Sequence, residues 1–233
     1  MDLARDKEKL YQFKSGLVST YRNSQRLEKL VNNILDASRI ESQRFELHKE
    51  SFNLNEKIHN VIKDIHSRLY LDQAYGKSSK HVNIIFEPQE DPINVFADKV
   101  KIFEVVSNLI SNAVKFSEDK PITITVKKIQ KSAIDFKYQL GSNTKANRDD
   151  YDKESKNETM MAVVSIRDKG TGIDPDILPR LFTKFTTKSS QGTGLGLYIS
   201  KSIIEAHNGQ IWAQNNYDEG KGVTFSFSLP LDN

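Results

Sequence analysis

Leu10, Phe13, Leu17, Tyr21, Leu27, Val31 and Ile34, with Ser24 and Ser38 in the same register, recur in steps of three and four. The spacing predicts one long helix over residues 1 to about 50, free of proline, whose seam packs on another helix. Gly16 and Asn23 weaken that helix without breaking its pattern. One amphipathic helix cannot bury its stripe alone, and no other segment repeats the pattern. The partner is therefore expected to be another chain, as in a homodimer, or an upstream segment.

Residues 49–54 read as a short linker. Asn53 followed by Glu56 has the spacing of a helix start with a reciprocal cap. The helix that follows is expected to reach about Leu71, with Ile58, Val61, Ile62, Ile65 and Leu69 on its inner face. HVNIIFE and INVFAD alternate apolar and polar residues and predict strands. Asp98 then precedes a strong helix over residues 99–116. ITITVKKI and SAIDFKY predict a hairpin, and MMAVVSIRD the next strand. The polar stretch at 139–159 predicts a mobile hairpin extension. After Asp168 come a glycine-rich turn, a short helix near 176–182, a polar loop and a helix over about 194–207. Strands IWAQNN and VTFSFSLP close the chain. The expected fold is α+β: a two-layer α/β sandwich, its mixed, largely antiparallel sheet carrying helices on one face, behind a long coiled-coil-like helix. The expected division is residues 1–48 for the helix and 49–233 for the sandwich.

Bulk properties narrow the chemistry. The 34 Lys and Arg nearly balance the 31 Asp and Glu, a net charge of +3, which gives no reason to expect nucleic-acid binding. The absence of cysteine excludes disulfides, thiolate metal sites and a catalytic thiol. No apolar run approaches the roughly 20 residues of a membrane helix. The charged first residues lack a signal peptide's apolar stretch. The expectation is a soluble, cytoplasmic segment without membrane contact, which leaves room for a membrane-anchored parent.

Three clusters carry candidate chemistry. In NLISNAVKF, Asn108 and Asn112 lie four apart on one helix face, Glu104 one turn earlier on that face, and Lys115 and Phe116 close the helix. Two amide oxygens can help complete a magnesium shell that keeps waters and phosphate oxygens, although the spacing alone more readily describes a solvated helix face. In DKGTGID, Asp168 ends a strand and Gly170 and Gly172 let the backbone approach a ligand. That carboxylate can accept from an exocyclic amine such as adenine's, or the segment is an ordinary turn. In QGTGLGLYISKSIIEAH, Gly192, Gly194 and Gly196 open a helix whose free amides and dipole make a phosphate seat. The spacing fits neither the Walker nor the dinucleotide pattern. EGKGVTF adds Gly220 and Gly222, alone an ordinary hairpin turn.

Taken in order, these segments resemble the N, G1, G2 and G3 boxes of the histidine kinase ATP-binding domain. LPRLFTKF between them resembles the F box, with Phe182 and Phe185. NNILDASRIESQRFELHKESFNL looks like the end of the second dimerisation helix of those kinases and its linker. The resemblance implies the fold shared with gyrase-type, mismatch-repair and chaperone ATPases, with ATP and Mg2+ as ligands. It places Asp168 at the adenine amine and Asn108 and Asn112 at magnesium and the phosphates. Glu104 takes the acidic position of some members, Lys115 a phosphate contact and Phe116 a place beside the base. Gly170, Gly172, Gly192, Thr193, Gly194, Leu195, Gly196 and Thr224 fall at nucleotide-contacting positions. Residues 183–193 match the lid, where Lys184 and Lys188 suit a triphosphate or are simply solvated. The implied partner is a response regulator receiver domain.

One element of that family has no counterpart. None of the five histidines, His48, His59, His66, His81 and His207, sits in the family's phosphoacceptor motif. The acceptor helix is expected upstream of Met1. Either the chain is a piece cut between the two dimerisation helices or the protein naturally lacks the first, and the unpaired seam favours the piece. Another ATPase of the same fold, a degenerate dimeric interaction module and a protein-serine kinase are the competing readings.

Overall fold

The computed structural model describes residues 2–74, 82–90, 92–135, 159–187, 193–217 and 221–232. Helix α1 spans Asp2–Glu41, and its apolar seam faces solvent: Phe13, Tyr21, Leu27 and Ile34 are all exposed. Its last turns behave differently. Asn33, Asp36 and Ala37 are buried and Ile40 packs on the core of the following domain. Gln43, with φ 55°, ends the helix in the left-handed region, where the amide of Arg44 still reaches the Arg39 carbonyl at 2.9 Å.

Strand β1 (Glu50–Asn53) follows, and helix α2 covers Leu54–Ala74. The Asn53 side chain accepts from the amides of Asn55 at 3.0 Å and Glu56 at 3.4 Å, which starts α2. Ile58, Val61, Ile62 and Ile65 form its buried face, as their spacing requires. Strands β2 (Ile84–Pro88) and β3 (Asn94–Ala97) lead to helix α3 (Lys99–Phe116). Strands β4 (Ile122–Gln130) and β5 (Met160–Arg167), helix α4 (Gly196–Ala206), and strands β6 (Ile211–Asn215) and β7 (Val223–Pro230) complete the domain.

The main sheet has five strands in the order β2-β4-β5-β7-β6. Only β2 and β4 are parallel; the other neighbours are antiparallel. Inward residues such as Ile122, Ile124, Val164, Ile166 and Phe227 meet the apolar faces of α2, α3 and α4 in one core. Burying each such side chain contributes about 1.5–3 kcal/mol, so this face supplies most of the stability.

Three expectations require correction. Residues 49–54 are not a linker: β1 pairs antiparallel with β3, Phe52 opposite Val95. With only Phe52 buried in its four residues, β1 offers no alternation to read. The described residues of SAIDFKY, 132–135, are helical and do not pair with β4, whose antiparallel partner is β5, Gln130 opposite Met160. That turn seats Ile134 beside Met161 and Val163 on the sheet's outer face, with Ile129 and Trp212 around them. The short helix near 176–182 shrinks to a 3-10 turn, Leu178–Arg180: Pro179 in its first positions has no N–H to give, and the amides of Arg180 and Leu181 bond only three residues back, to Ile177 and Leu178. The expected extension at 139–159 lies, apart from Thr159, outside the described residues, as does His81.

Candidate functional site

Helix α3 is fixed at its start by Asp98. Its Oδ1 accepts from the amides of Val100 at 3.1 Å and Lys101 at 3.0 Å, and its Oδ2 from the His48 amide at 2.9 Å. Burial opposes the Asp98 charge, but these backbone donors outweigh it and hold its pKa below the ordinary value. Ile102, Val105, Val106, Leu109, Ile110 and Ala113 turn one face of α3 into the core. Asn108, Asn112, Lys115 and Phe116 are thereby turned to a cavity of about 570 Å³.

Asn108 also joins α3 to α4. Its Nδ2 donates to Ser200 Oγ at 3.0 Å, and that hydroxyl donates to the Gly196 carbonyl at 2.9 Å. A Cβ on Gly196 would stand 2.8 Å from Asn108 Oδ1, so a larger residue here would push the Asn108 amide aside. The start of α4, with Thr193, Gly194, Gly196 and Leu197, forms a second wall of the cavity.

The third wall begins at the end of β5. Asp168 is buried, and its Oδ1 accepts from the amides of Gly170 at 2.9 Å and Val223 at 3.3 Å. Both amides converge on the same carboxylate oxygen. Burial pushes the Asp168 pKa up, and the two amides only partly counter it. Gly170 packs beneath this loop, where an added Cβ would lie 2.0 Å from the Phe116 carbonyl oxygen. Thr171, Gly172, Ile173, Asp174 and Ile177 continue the wall.

Two residues that braced this loop were not legible in the sequence. Asn215 accepts from the Ile173 amide and donates to the Ile173 carbonyl, both at 2.7 Å. Asn216 donates to the Asp168 carbonyl at 3.2 Å and accepts from Thr224 Oγ1 at 2.8 Å. Consecutive asparagines at the end of a strand look like turn residues, and only tertiary contact shows that they clamp DKGTGID.

The structure thus brings Asn108, Asn112, Lys115, Phe116, Asp168, Gly172, Thr193, Gly194 and Gly196 around one cavity. It places the other candidates elsewhere. Glu104 pairs with Lys101 at 3.2 Å, on the side facing α1 and not on a cavity wall. Lys184 pairs with Glu41 of α1 and lies 5.0 Å over the Tyr198 ring. Leu195 is buried in the core, Gly170 lies behind the wall, and Thr224 acts on Asn216. Lys188, Gly192 and Gly220 lie outside the described residues. The cavity also has a wall that sequence reasoning missed: Arg26, Lys29, Leu30 and Asn33 of α1.

Of the described histidines, none lines the cavity. His207 is buried at the end of α4, its Nε2 accepting from the Asp98 amide at 2.8 Å and its Nδ1 donating to the Ile203 carbonyl at 2.7 Å. With both ring nitrogens so used, Nδ1 carries the proton.

Residues 97–233, more than half of the chain, match the family described as histidine kinase-, DNA gyrase B-, and HSP90-like ATPase. The chain is similar to the sensor histidine kinase WalK of Bacillus subtilis (strain 168), 28% identical over 221 residues, which cover 92% of this chain and 30% of that protein. It is 29% identical over 235 residues to the sensor protein kinase WalK of Staphylococcus aureus, covering 98% of this chain and 46% of the relative. The chain therefore spans less than half the length of these relatives. Among solved structures, a nucleotide-free catalytic domain of histidine kinase ThkA superposes with a TM-score of 0.56 at 28% identity, covering 78% of this chain and 95% of that one. Full-length ShkA in complex with AMPPNP superposes with a TM-score of 0.64 at 21% identity, covering 89% of this chain and 36% of that one, a likeness of fold. The chain belongs to the family of histidine kinase-, DNA gyrase B- and HSP90-like ATPases, and within it resembles the sensor histidine kinases.

Proposed function

We propose that this chain is the ATP-binding catalytic part of a sensor histidine kinase. The whole protein would transfer the γ-phosphate of ATP to a histidine, and then to an aspartate of a response-regulator receiver domain. The observation that carries this reading is Asp168: a buried carboxylate with one oxygen held by two amides, at the edge of a cavity walled by an asparagine face and a glycine-rich helix start.

In this reading Asp168 Oδ2 accepts from the adenine amine, and Phe116 lies beside the base. Lys115 and the first amides of α4 take the phosphates. Magnesium, when bound, neutralises phosphate charge and aligns the transferred group. Asn108 and Asn112 would hold it. Among the described residues no group of three acidic or imidazole side chains could cage a metal ion. That donor set suits an ion that arrives with the phosphates and keeps its waters.

Residues 1–48 are read as a dimerisation segment and 49–233 as the catalytic domain. The exposed seam of α1, from Leu10 to Ile34, supports pairing with a second copy. Among the described residues no helix is long and apolar enough to cross a membrane. His48, His59 and His66 are exposed and stand off the cavity wall, which supports an acceptor other than these.

Thermal unfolding with added nucleotide tests the reading, because a ligand that binds only the folded state raises Tm. ATP should raise it, more so with magnesium. GTP, which places a carbonyl oxygen where adenine has its amine, should not. No shift with ATP, or an equal shift with GTP, would overturn the proposal.

A further inference from the structure

Helix α1 does more than lead into the catalytic domain. Arg26, Lys29, Leu30 and Asn33 recur at helical spacing on one face and line the cavity that Asp168 opens onto. Leu27, Val31 and Ile34 lie on a different, exposed face, so the cavity wall and the seam are separate surfaces of one helix. The helix is docked through its last two turns, with Arg26 and Lys29 themselves exposed. Lys101 of α3 donates to Asp36 of α1 at 2.6 Å, the Asp36 carboxylate being buried, and Lys184 pairs with Glu41.

The charge on this wall is opposite to that of the adenine end. Asp168 and Asp174 stand on the loop side of the cavity, and Arg26 and Lys29 on the α1 side, with Lys115 of α3 also lining it. We propose that α1 completes the nucleotide site, with Arg26 and Lys29 receiving the phosphate tail of an ATP whose base sits at Asp168. The proposal rests on the ATP reading and adds a residue set outside the family's matched segment, which begins at residue 97. Desolvation against the cavity wall, together with the Arg68 guanidinium, holds the Lys29 pKa below its ordinary value, and Glu104 offsets this only in part. A triphosphate beside Lys29 would favour its charged form.

Nucleotide affinity depends on α1 being docked, so the helix position and the phosphate tail are coupled through the same contacts.

Calorimetric titration of the full chain with ATP and with adenosine separates this from a structural role. Arg26→Ala with Lys29→Ala keeps good helix formers on α1, and circular dichroism checks that the helix persists. The double variant should bind ATP roughly tenfold or more weakly, from the loss of two charge-assisted contacts, while its adenosine affinity stays unchanged. ATP affinity within about twofold of the unaltered protein, while Asp168→Asn loses binding, would overturn the α1 role and leave the ATP reading standing. An equal loss of ATP and adenosine would also overturn it, as a general distortion. Absence of ATP binding by the unaltered chain would overturn both.

Discussion

Asn216 donates its side-chain amide to the main-chain carbonyl of Asp168 at 3.2 Å, across 48 residues of sequence. The same Asn216 accepts from Thr224 Oγ1 at 2.8 Å and donates its own amide to the Gly222 carbonyl at 2.9 Å. Asp168 is therefore held by the β6–β7 end of the sheet as well as by its own strand. Asn216→Ala would leave the Asp168 carbonyl and the Thr224 hydroxyl unpaired in a buried setting. We expect a loss of about 1–3 kcal/mol in chemical denaturation. ATP affinity should fall with it, because the carboxylate loses its fixed position. Thr224→Val removes only the outer bond of this chain and should cost about 1 kcal/mol or less.

Gly170→Ala tests the close approach of the DKGTGID loop to α3. Its new Cβ would meet a main-chain oxygen, that of Phe116, at 2.0 Å, and backbone cannot swing aside as a flexible side chain can. The expected outcome is a destabilisation of about 1–3 kcal/mol, read in the same denaturation assay, with weakened ATP binding. Unchanged stability would mean that the loop and the end of α3 are looser than this contact requires.

Much of this site was legible in the residues, and the exceptions have common causes. Helix α3 follows from its own pattern: Asp98 caps it, six apolar positions set its buried face, and the amides of Asn108 and Asn112 fall on the opposite rim. Those are local properties. Strand β1, the helical turn at 131–135 and the Asn215–Asn216 clamp depend on partners far along the chain, and their own sequence carries no periodicity. Lys184 illustrates a second limit. Its charge suits a triphosphate and a carboxylate equally well, and the choice falls to Glu41 because the end of α1 is docked beside it. The α1 wall itself could not be anticipated, since the seam pattern marks one face of that helix and says nothing of what the other meets.

The two lysines offer a direct contrast. Lys115 lines the cavity, its Nζ 5.2 Å from the Phe116 ring, whereas Lys184 pairs with Glu41 beside the Tyr198 ring. Lys115→Ala should weaken ATP binding roughly tenfold, as expected for loss of a charge-assisted contact. Lys184→Ala should weaken it less, and only through looser docking of α1, in the same titration. The reverse ranking would place the phosphate tail at the lid instead of at α3.

His207 makes stability depend on pH. Burial, with the nearby Lys49 charge, lowers its pKa from 6.5, only partly offset by the Ile203 carbonyl and Asp98. The unfolded chain therefore binds a proton more readily than the folded one. This contribution to stability is fully present above about pH 6.5 and declines as pH falls through the folded-state pKa below that. Protonation would also place a second donor against the Asp98 amide. Denaturation midpoints from pH 7.5 to 5.5 should fall for the unaltered protein and fall less for His207→Gln. Asp98, whose pKa is also lowered, contributes a separate loss as pH falls below its ordinary 3.8.

Calorimetric titration of ATP, with and without magnesium, into the unaltered chain and into Asp168→Asn decides the nucleotide site itself. Asparagine keeps the shape of the side chain but presents a different balance of donor and acceptor to the adenine amine. Magnesium-dependent micromolar binding by the unaltered chain, lost in Asp168→Asn, is the predicted result. Failure of the unaltered chain to bind ATP, or equal binding by the variant, would contradict it.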